Sequence, residues 1–279
     1  MSCISSHYNN RQNVSIADRK QSPILQLKSF NNWIKSVLIQ KYCPSNNACV
    51  FDMACGKGGD LNKWLKNKIK YYYGADIAAT SIKHAKDRYA SSNFTFKAEF
   101  HAIDCFSVEM EFKEIEFDLV SVQFALHYSF ESENKARIAL LNATKKLKKG
   151  GYFIGTIPNA YRIVKNMKKK KKEFGNRVYK IRYETVETSR FGHEYTFDLE
   201  DAIDSCPEYV INKRVLVELA SGFGLQLVYY EGFHEMYLKE KEGFRDLIQR
   251  MRVLDQDGSI DQDQWEAIGL YDAFSFKMV

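Results

Sequence analysis

The stretch VFDMACGKGGDL, residues 50–61, decides the fold of this chain. An apolar run ends in Asp52, three glycines follow within positions 56–59, and a polar segment typical of a helix comes next. In open α/β sheets, ligands bind at the carboxyl ends of the strands, where glycine allows close approach and the next helix presents free amides. The stretch therefore predicts a strand, a ligand-binding loop and a helix.

The chain on either side alternates between helix and strand patterns. Upstream, a helix is predicted over 23–42, with Ser22 as its N-cap and Pro23 as its first residue. Its apolar stripe consists of Leu27, Phe30, Ile34, Val37 and Leu38. Downstream, the predicted strands lie over 48–54, 70–77, 94–104, 117–126 and 151–158, and the predicted helices over 59–67, 80–89 (opened by Thr80 or Ser81) and 132–149. This alternation implies βαβ units and an α/β fold with a doubly wound, mostly parallel, Rossmann-like sheet.

The alternation stops after Pro158. Residues 159–210 hold a lysine-rich run and short alternating segments, which predicts an insertion that covers the active-site edge of the sheet. Regular structure resumes with predicted helices over 212–224 and 243–253 and predicted strands over 225–233 and 273–279. We expect one domain over 1–279, with residues 1–22 as an N-terminal arm.

Composition limits the class of protein. Of 279 residues, 45% are hydrophobic, which is enough for a large core, and no stretch approaches the ~20 apolar residues of a membrane span. With no secretory signal pattern either, we expect a soluble, intracellular protein without membrane association. The six cysteines form no CxxC pair and no histidine lies at metal-ligand spacing, so free thiols without a metal are expected. The net charge of +6 suits a polyanionic partner without requiring one.

The glycine loop narrows the ligand to a nucleoside. A phosphate-binding P-loop needs Ser or Thr after its lysine, and Lys57 is followed by Gly58. An acidic residue about 20 positions beyond the loop binds a ribose in dinucleotide folds, and Asp76 lies 20 residues after Gly56. NAD and S-adenosylmethionine both satisfy this pattern. Asp104, at the end of the third predicted strand, could accept from an adenine amino group, which favours S-adenosylmethionine.

Several motifs together resemble one family, the mRNA cap guanine-N7 methyltransferases of eukaryotes. The resemblance covers roughly residues 7–279 and runs in the family's order. Its motifs are SFNNWIKSVLI (29–39), FDMACGKGGDLNKW (51–64), GADIAATSIKHAKDRY (74–89), VSVQFALHYSFES (120–132), GGYFIGTIPN (150–159), FGNRVYKIRYE (174–184), CPEYV (206–210) and EAIGLYDAFSFK (266–277).

The resemblance implies a fold, a reaction and two sets of residues. The fold is a seven-stranded class I methyltransferase sheet that transfers a methyl group from S-adenosylmethionine to N7 of the guanosine cap, leaving S-adenosylhomocysteine and using no metal. The residues matched to the methyl donor are Lys35, Ala54, Gly56, Asp76, Asp104, Gln123 and Tyr128. Those matched to the cap are Asn31, Asn32, Lys57, Lys63, Arg88, His127, Tyr128, Glu208 and Tyr271.

One departure from the family concerns the glycine loop. The family usually reads Gly-Cys-Gly there, and Ala54 replaces the first glycine. A methyl group at this position could crowd the donor, so donor affinity is the implied property that this substitution affects most directly.

The implied chemistry needs no covalent or acid–base catalyst. Guanine N7 carries a lone pair and no proton, so we expect in-line displacement without a general base, with rate gained from placement by Glu208, His127 and Tyr128. Glu208 is the candidate carboxylate for the guanine edge, where it would also stabilise the growing positive charge.

The sequence leaves other hypotheses about the function open. A methyltransferase of a small metabolite would not depend on capped RNA, and a cap-binding module without catalysis would bind a cap analogue but not S-adenosylmethionine. An NAD oxidoreductase is disfavoured because the glycine fingerprint is incomplete. The lysine run at 168–172 fits a solvated loop, a contact to RNA phosphates or a nuclear localisation signal.

The resemblance also implies where and with whom the protein acts. Its expected partner is 5′-capped RNA, with the transcription or capping machinery and an activating subunit as further candidates. The expected location is the nucleus, or the cytoplasm if the source is a cytoplasmic virus.

Overall fold

A computed structural model of the protein describes residues 21–44, 46–169, 172–185 and 189–279. Its main feature is a seven-stranded sheet. In chain order the strands are β1 (Cys49–Met53), β2 (Tyr71–Asp76), β3 (Lys97–Ala102), β4 (Phe117–Gln123), β5 (Leu147–Pro158), and two late strands, Leu225–Gly232 and Tyr271–Met278, named β10 and β11 below. The spatial order is β10-β11-β5-β4-β1-β2-β3.

The sheet is mostly parallel. The pairs β5–β4, β4–β1, β1–β2 and β2–β3 are parallel, and only β11 runs against its two neighbours. The order reverses beside β1, so the loops after β1 and β4 open at a topological switch point, where doubly wound sheets bind ligands. The predicted α/β, Rossmann-like class is confirmed.

Helices cover both faces of this sheet. They are α1 (Leu25–Tyr42), α2 (Leu61–Lys66), α3 (Ala79–Ala90), α4 (Glu133–Thr144), α5 (Ala160–Lys169), α6 (Lys213–Gly222), α7 (Phe233–Glu240), α8 (Arg245–Met251) and α9 (Gln262–Ile268), with a 3₁₀ helix over Leu126–Glu131. The apolar stripe predicted for α1 is fully buried and packs with Trp33 and Trp64 in the core on one face. A second core on the other face holds Phe51, Phe153 and Phe274.

The insertion forms a sheet of its own. Strands β6 (Glu173–Gly175), β7 (Tyr179–Arg182), β8 (Glu194–Leu199) and β9 (Ile203–Tyr209) are antiparallel in the order of the chain. The buried side chains of β7 and β8, which include Tyr179, Tyr195 and Phe197, belong to the same core as α1, whereas Cys206 and Tyr209 of β9 belong to the second core. The strand pattern of the insertion alternates buried and exposed residues, as expected for a sheet with one face on a core.

Several local predictions were wrong. The N-cap of α1 is Ile24, not Ser22, and no side chain caps it. Helix α3 begins at Ala79, one residue before Thr80. Strand β3 ends at Ala102, so Asp104 lies in the following turn.

The helix predicted over 132–149 ends at Thr144, because β5 begins at Leu147. This strand pairs with β4 at Leu147 and again from Tyr152 onward, with a register irregularity between them that contains Gly150 in a left-handed conformation (φ 81°). Helices α5, α7 and α9 were not predicted at all.

Some predictions fall outside the described residues. Most of the predicted N-terminal arm (1–22), Cys3, and Lys170 and Lys171 of the lysine run belong to this group. The single-domain boundary therefore stays a prediction. Within the described ranges, no helix combines the length and the apolar character that a membrane crossing requires.

Candidate active site

The loop after β1 is built from residues with left-handed backbone. Ala54, Gly56 and Gly58 have φ values of 54°, 55° and 69°. Glycine adopts this conformation freely, whereas alanine in it costs about 1–2 kcal/mol. A Cβ on Gly58 would lie 2.8 Å from Cδ1 of Leu61, so the loop also packs closely on α2. Ala54 therefore keeps the conformation that suits a glycine, at some cost in backbone strain.

A cavity of about 210 Å³ opens beside this loop. The structure places in its wall six of the seven residues predicted to bind the donor: Ala54, Gly56, Asp76, Asp104, Gln123 and Tyr128. These residues come from the ends of β1, β2 and β4 and from the turns after β3 and β4. The parallel order of the strands brings them together, although they span more than 70 positions of the sequence.

Asp76 fixes the glycine loop. Its Oδ2 accepts from the Gly56 amide and its Oδ1 from the Ala78 amide, both at 2.8 Å. Burial raises the pKa of Asp76, and these two amides oppose that rise. Each carboxylate oxygen keeps a further lone pair, so the group can still accept from ligand hydroxyls. Asp104 is held similarly, by the Phe106 amide at 3.0 Å.

The amide of Gln123 is oriented by two hydroxyl groups. Its nitrogen donates to Ser121 at 3.0 Å, and its oxygen accepts from Thr156 at 3.2 Å. The next residue, Phe124, has a φ of 56°, a strained value for an aromatic residue. Thr156 Oγ1 accepts from the amide of Phe124 and holds this turn in place.

A buried cluster of Glu208, His127 and Tyr195, called the acid cluster below, lies beside the cavity. Glu208 is 4% exposed and His127 is 2% exposed, and His127 Nε2 lies 3.4 Å from Glu208 Oε1. Neither ring nitrogen of His127 has a hydrogen-bond partner in the described part of the chain. Buried polar atoms are normally hydrogen-bonded, so these two nitrogens indicate a place where a polar ligand binds.

Tyr195 completes this cluster and was not predicted. Its hydroxyl donates to Glu208 Oε2 at 2.6 Å, across the β8–β9 pair. Burial raises the pKa of Tyr195 and the Glu208 carboxylate raises it further, so the phenol stays protonated as a donor. The only signal for Tyr195 in the sequence was its place in a short alternating strand pattern thirteen residues before Glu208.

Tyr128 joins the cavity to the acid cluster. It lines the cavity, its ring lies 4.2 Å from the His127 ring, and its hydroxyl lies 3.6 Å from Sγ of Cys206 on β9. Tyr271 is also buried and packs edge-on against Phe124, with ring centroids 5.1 Å apart. The 3₁₀ helix after β4 thus connects the two halves of the site.

A second polar cluster lies on α1 and α2. Asp60 accepts from Lys35 at 3.0 Å and from Lys63 at 2.6 Å, and Lys63 also donates to Asn32 at 2.9 Å. Burial alone would raise the pKa of Asp60, but the two ammonium groups hold it well below its usual range. Burial lowers the pKa of Lys63, against the opposing effect of Asp60. Asp60 was missed by sequence reasoning, and Lys35 lies against it rather than in the cavity wall.

The remaining predicted cap residues lie in the glycine loop, on α3 and on α1. Arg88 donates to the Gly58 carbonyl at 3.2 Å, and Lys57 is half-buried in the loop itself. Asn31, within α1, has a buried Oδ1 without a partner in the described ranges. None of these positions conflicts with the predicted roles, which stay predictions.

Similar solved structures define the class of the fold. An S-adenosylmethionine-dependent methyltransferase from Clostridium acetobutylicum aligns with a TM-score of 0.53 at 12% identity, over 90% of this chain and 91% of that one. Another from Mesorhizobium loti gives 0.53 at 14% identity, over 90% and 99%. The seven-stranded sheet is therefore that of the class I S-adenosylmethionine-dependent methyltransferases.

Sequence comparison defines the family within this class. Residues 1–279 match the family described as the mRNA (guanine-N(7))-methyltransferase domain, and the chain belongs to it. The mRNA cap guanine-N(7) methyltransferase of Schizosaccharomyces pombe is 44% identical over 98% of this chain and 81% of its own length. The Arabidopsis thaliana protein, mRNA cap guanine-N(7) methyltransferase 1, is 43% identical over 98% and 80%.

The chain spans a smaller share of some relatives. It covers 47% of the mRNA cap guanine-N(7) methyltransferase of Cryptococcus neoformans, to which it is 42% identical over 98% of its own length. Family membership makes the chain a methyltransferase domain, and the family resemblance in the sequence is confirmed.

Proposed function

We propose that this chain transfers a methyl group from S-adenosylmethionine to N7 of the 5′-terminal guanosine of capped RNA. One observation carries the proposal: buried His127, whose two ring nitrogens have no hydrogen-bond partner in the described part of the chain, turns Nε2 toward Glu208 Oε1 at 3.4 Å, next to Tyr128 in the wall of the glycine-loop cavity. A planar base with donors along one edge would satisfy both groups. The named relatives, which are cap guanine-N7 methyltransferases, support the same conclusion.

The cavity residues fit S-adenosylmethionine as methyl donor. Asp76 retains acceptor capacity for two ribose hydroxyls, and Asp104 can accept from the adenine amino group. Gly56 adds no side chain, and a Cβ there would meet nothing within 4 Å, so a ligand can approach its backbone. In the described ranges, no group of three or more Cys, His, Asp or Glu side chains could hold a metal ion.

The rate of the reaction we propose depends on how the donor methyl group and guanine N7 are held relative to each other. S-adenosylmethionine, when bound, would supply a methyl group on a positively charged sulfur. The guanine N7 lone pair would form a bond to the methyl carbon in line with the carbon–sulfur bond, which breaks as neutral S-adenosylhomocysteine leaves. Because N7 carries no proton, no residue has to act as a general base. Holding reacting groups in this geometry contributes up to about 7–11 kcal/mol in favourable systems.

Glu208 has the central positioning role in this scheme. Its carboxylate accepts from the guanine N1–H and the exocyclic amine, and it stabilises the positive charge that guanine gains. Tyr195 holds one of its oxygens, so the carboxylate cannot rotate away. His127 and Tyr128 contact the base and the donor side from the same 3₁₀ helix.

The basic residues around the glycine loop provide charge for the triphosphate bridge. Lys57, Lys63 and Arg88 are candidates for this role, and Asn31 and Asn32 for polar contacts beside them. Lys35 acts through Asp60, which links α1 to the start of α2 below the loop.

One alternative function is supported by a specific observation. Ala54 lines the donor cavity in a left-handed conformation, so its methyl group could block the donor. The chain would then be a cap-binding module without catalysis.

Methyl transfer from labelled S-adenosylmethionine to RNA ending in GpppG distinguishes the two functions, with already methylated cap as the blocked control. We expect transfer to the unmethylated cap only. No transfer, together with tight binding of a cap analogue, would favour the binding module.

Partners and location follow from the proposed reaction. We infer capped RNA as substrate, with the transcription or capping machinery and an activating subunit as candidate partners. Because capping acts on new transcripts, we propose the nucleus as the place of action, or the cytoplasm for a cytoplasmic virus. Imaging of the tagged full-length protein in its own cells would test this.

A further inference from the structure

A basic groove opens at the carboxyl edge of the large sheet. It has a volume of about 1000 Å³ and lies between α5 and the first turn of α6, above the ends of β5 and β10. We call it the α5–α6 groove. The cations in its wall are Lys165, Lys168, Lys169, Lys213 and Arg214.

The charge of these five residues is not neutralised. None of them forms an ion pair within the described part of the chain, whereas Lys145 and Arg177 elsewhere each contact two carboxylates. Three acids also line the groove. Of these, Glu231 pairs with Lys239, whereas Glu235 and Asp272 form no ion pair in the described ranges, so five cations face two unpaired acids. The groove therefore offers an excess of positive charge to a ligand.

One face of α5 combines this charge with an exposed aromatic ring. Tyr161, Lys165 and Lys168 are spaced so that they lie on the same face of the helix, while Ile163 and Met167 on the other face are buried. Tyr161 is 75% exposed, and Lys165 Nζ lies 5.4 Å from its ring centroid. Cations interleaved with an exposed ring are typical of sites that bind phosphates and stack bases of single strands.

The groove begins close to the acid cluster. His193 and Val210 line it, and the Val210 amide donates to the His193 carbonyl at 2.9 Å. Along β8 and β9, the Tyr195–Glu208 pair lies two residues further on in each strand. At about 3.3 Å per residue, the groove starts roughly 7 Å from that pair. A chain that leaves a guanosine held by Glu208 can therefore enter the groove directly.

We propose that the α5–α6 groove binds the first nucleotides of the RNA that follow the cap. Lys165, Lys168 and Lys213 contact the phosphates, and a base stacks on Tyr161. This inference rests on the proposed function and extends it from the cap to the body of the substrate. An acidic protein segment would use the same charges, but the exposed ring on the cationic face favours RNA.

Binding and methyl transfer are measured separately to test the proposal. The binding probe is a fluorescein-labelled, GpppG-capped RNA of about 20 nucleotides, followed by anisotropy, with poly-L-glutamate as the acidic competitor probe. Methyl transfer is measured to the same RNA and to the GpppG dinucleotide. The variants are Tyr161→Ala and the triple substitution Lys165→Ala/Lys168→Ala/Lys213→Ala. Lys70→Ala/Lys97→Ala is the matched control, because both lysines are exposed at the opposite edge of the sheet.

We expect the triple variant to lower affinity for capped RNA and to reduce the slope of log affinity against log salt by about 2, since each single-strand phosphate contact contributes about 0.7. KM for the capped RNA should rise, while KM for GpppG stays within about twofold, because the groove lies beyond the cap. Tyr161→Ala should weaken RNA binding with little change in this slope. The control variant should match the unmodified protein in every assay.

Three results would overturn the inference. The first is unchanged RNA binding and salt slope in the groove variants, and the second is equal loss of activity on GpppG and on capped RNA. The third is groove-dependent binding of poly-L-glutamate without groove-dependent binding of RNA, which would identify an acidic protein as the partner. Failure of methyl transfer to both substrates would instead count against the proposed function, and the anisotropy measurement would still test the groove.

Discussion

The Tyr195 hydroxyl donates to Oε2 of Glu208 at 2.6 Å, and both side chains are buried at directly paired positions of β8 and β9. This contact fixes one carboxylate oxygen and leaves the other, Oε1, facing His127. The orientation of the proposed guanine contact therefore depends on a residue outside the family motifs recognised in the sequence.

Removing that hydroxyl should loosen Glu208. We expect Tyr195→Phe to lower kcat/KM for GpppG roughly 10- to 150-fold, because a lost hydrogen bond to a charged group costs roughly 1.5–3 kcal/mol. Affinity for S-adenosylhomocysteine, measured by calorimetry, should not change. Tyr209→Phe is the matched control, since Tyr209 donates to Glu194 at the next position of the same strand pair. Equal effects of the two substitutions would contradict a specific role for Tyr195.

Neutralising Glu208 tests the electrostatic contribution itself. Glu208→Gln keeps the shape of the side chain but removes the charge, and we expect kcat to fall roughly 10²–10³-fold, as for other groups that stabilise developing charge. Donor binding should stay nearly intact. Glu194→Gln serves as control on the adjoining position of the sheet. A comparable loss of turnover and donor affinity would show that Glu208 is structural.

Asp76 should determine donor affinity rather than turnover. Its two oxygens hold the Gly56 and Ala78 amides, so we expect Asp76→Ala to abolish measurable binding of S-adenosylhomocysteine. Thermal unfolding would confirm that the variant is folded, and Asp87→Ala, at an exposed position of α3, provides the comparison. Unchanged donor affinity would remove the ribose assignment.

The substitution Ala54→Gly tests how much the alanine in the glycine loop lowers affinity for the methyl donor. The left-handed conformation costs alanine about 1–2 kcal/mol, while glycine loses roughly 0.5–1 kcal/mol of chain entropy, so stability should change little. We expect donor affinity to rise severalfold if the methyl group crowds the ligand. Titration calorimetry on both proteins decides the matter, and equal affinities would show that the cavity accommodates alanine.

Asp272 should make stability depend on pH. Burial raises its pKa to about 6, above its ordinary value near 4, so the folded protein binds more protons than the unfolded chain between these values. Stability from this group is therefore present at low pH and is lost as pH rises from about 4 to 6, by up to roughly 3 kcal/mol. Asp272→Asn should abolish this dependence. Denaturant unfolding at pH 4.5 and pH 7 measures it, and parallel profiles for both proteins would argue against it.

The sequence pattern predicted correctly the strands whose formation depends mainly on their own apolar residues. Strands β1, β2 and β4 follow from apolar runs, and their parallel order places Asp76, Asp104 and Gln123 in one cavity. Residues whose role comes from pairing were missed. Tyr195 meets Glu208 only through the register of β8 and β9, and Asp60 meets Lys35 only because α1 packs near α2.

Some predicted boundaries of strands and helices were wrong because they, too, depend on contacts between residues distant in the sequence. β5 begins at Leu147 because that residue pairs with Phe117 of β4, a contact distant in sequence, and regular pairing resumes only at Tyr152 after an irregularity. Helices α7 and α9 have only eight and seven residues, too few for a clear apolar period, and their stability comes from packing.

The small antiparallel sheet carries the proposed acceptor contacts separately from the proposed donor contacts. The proposed donor residues lie at the ends of strands of the large sheet and in the turns that follow them, whereas Tyr195 and Glu208 lie on β8 and β9 of the insertion. We expect substitutions in β8 and β9 to change which acceptor is selected and to leave the proposed donor site unchanged. An altered-specificity library would therefore be confined to β8 and β9, with methyl transfer to non-guanine caps as the readout.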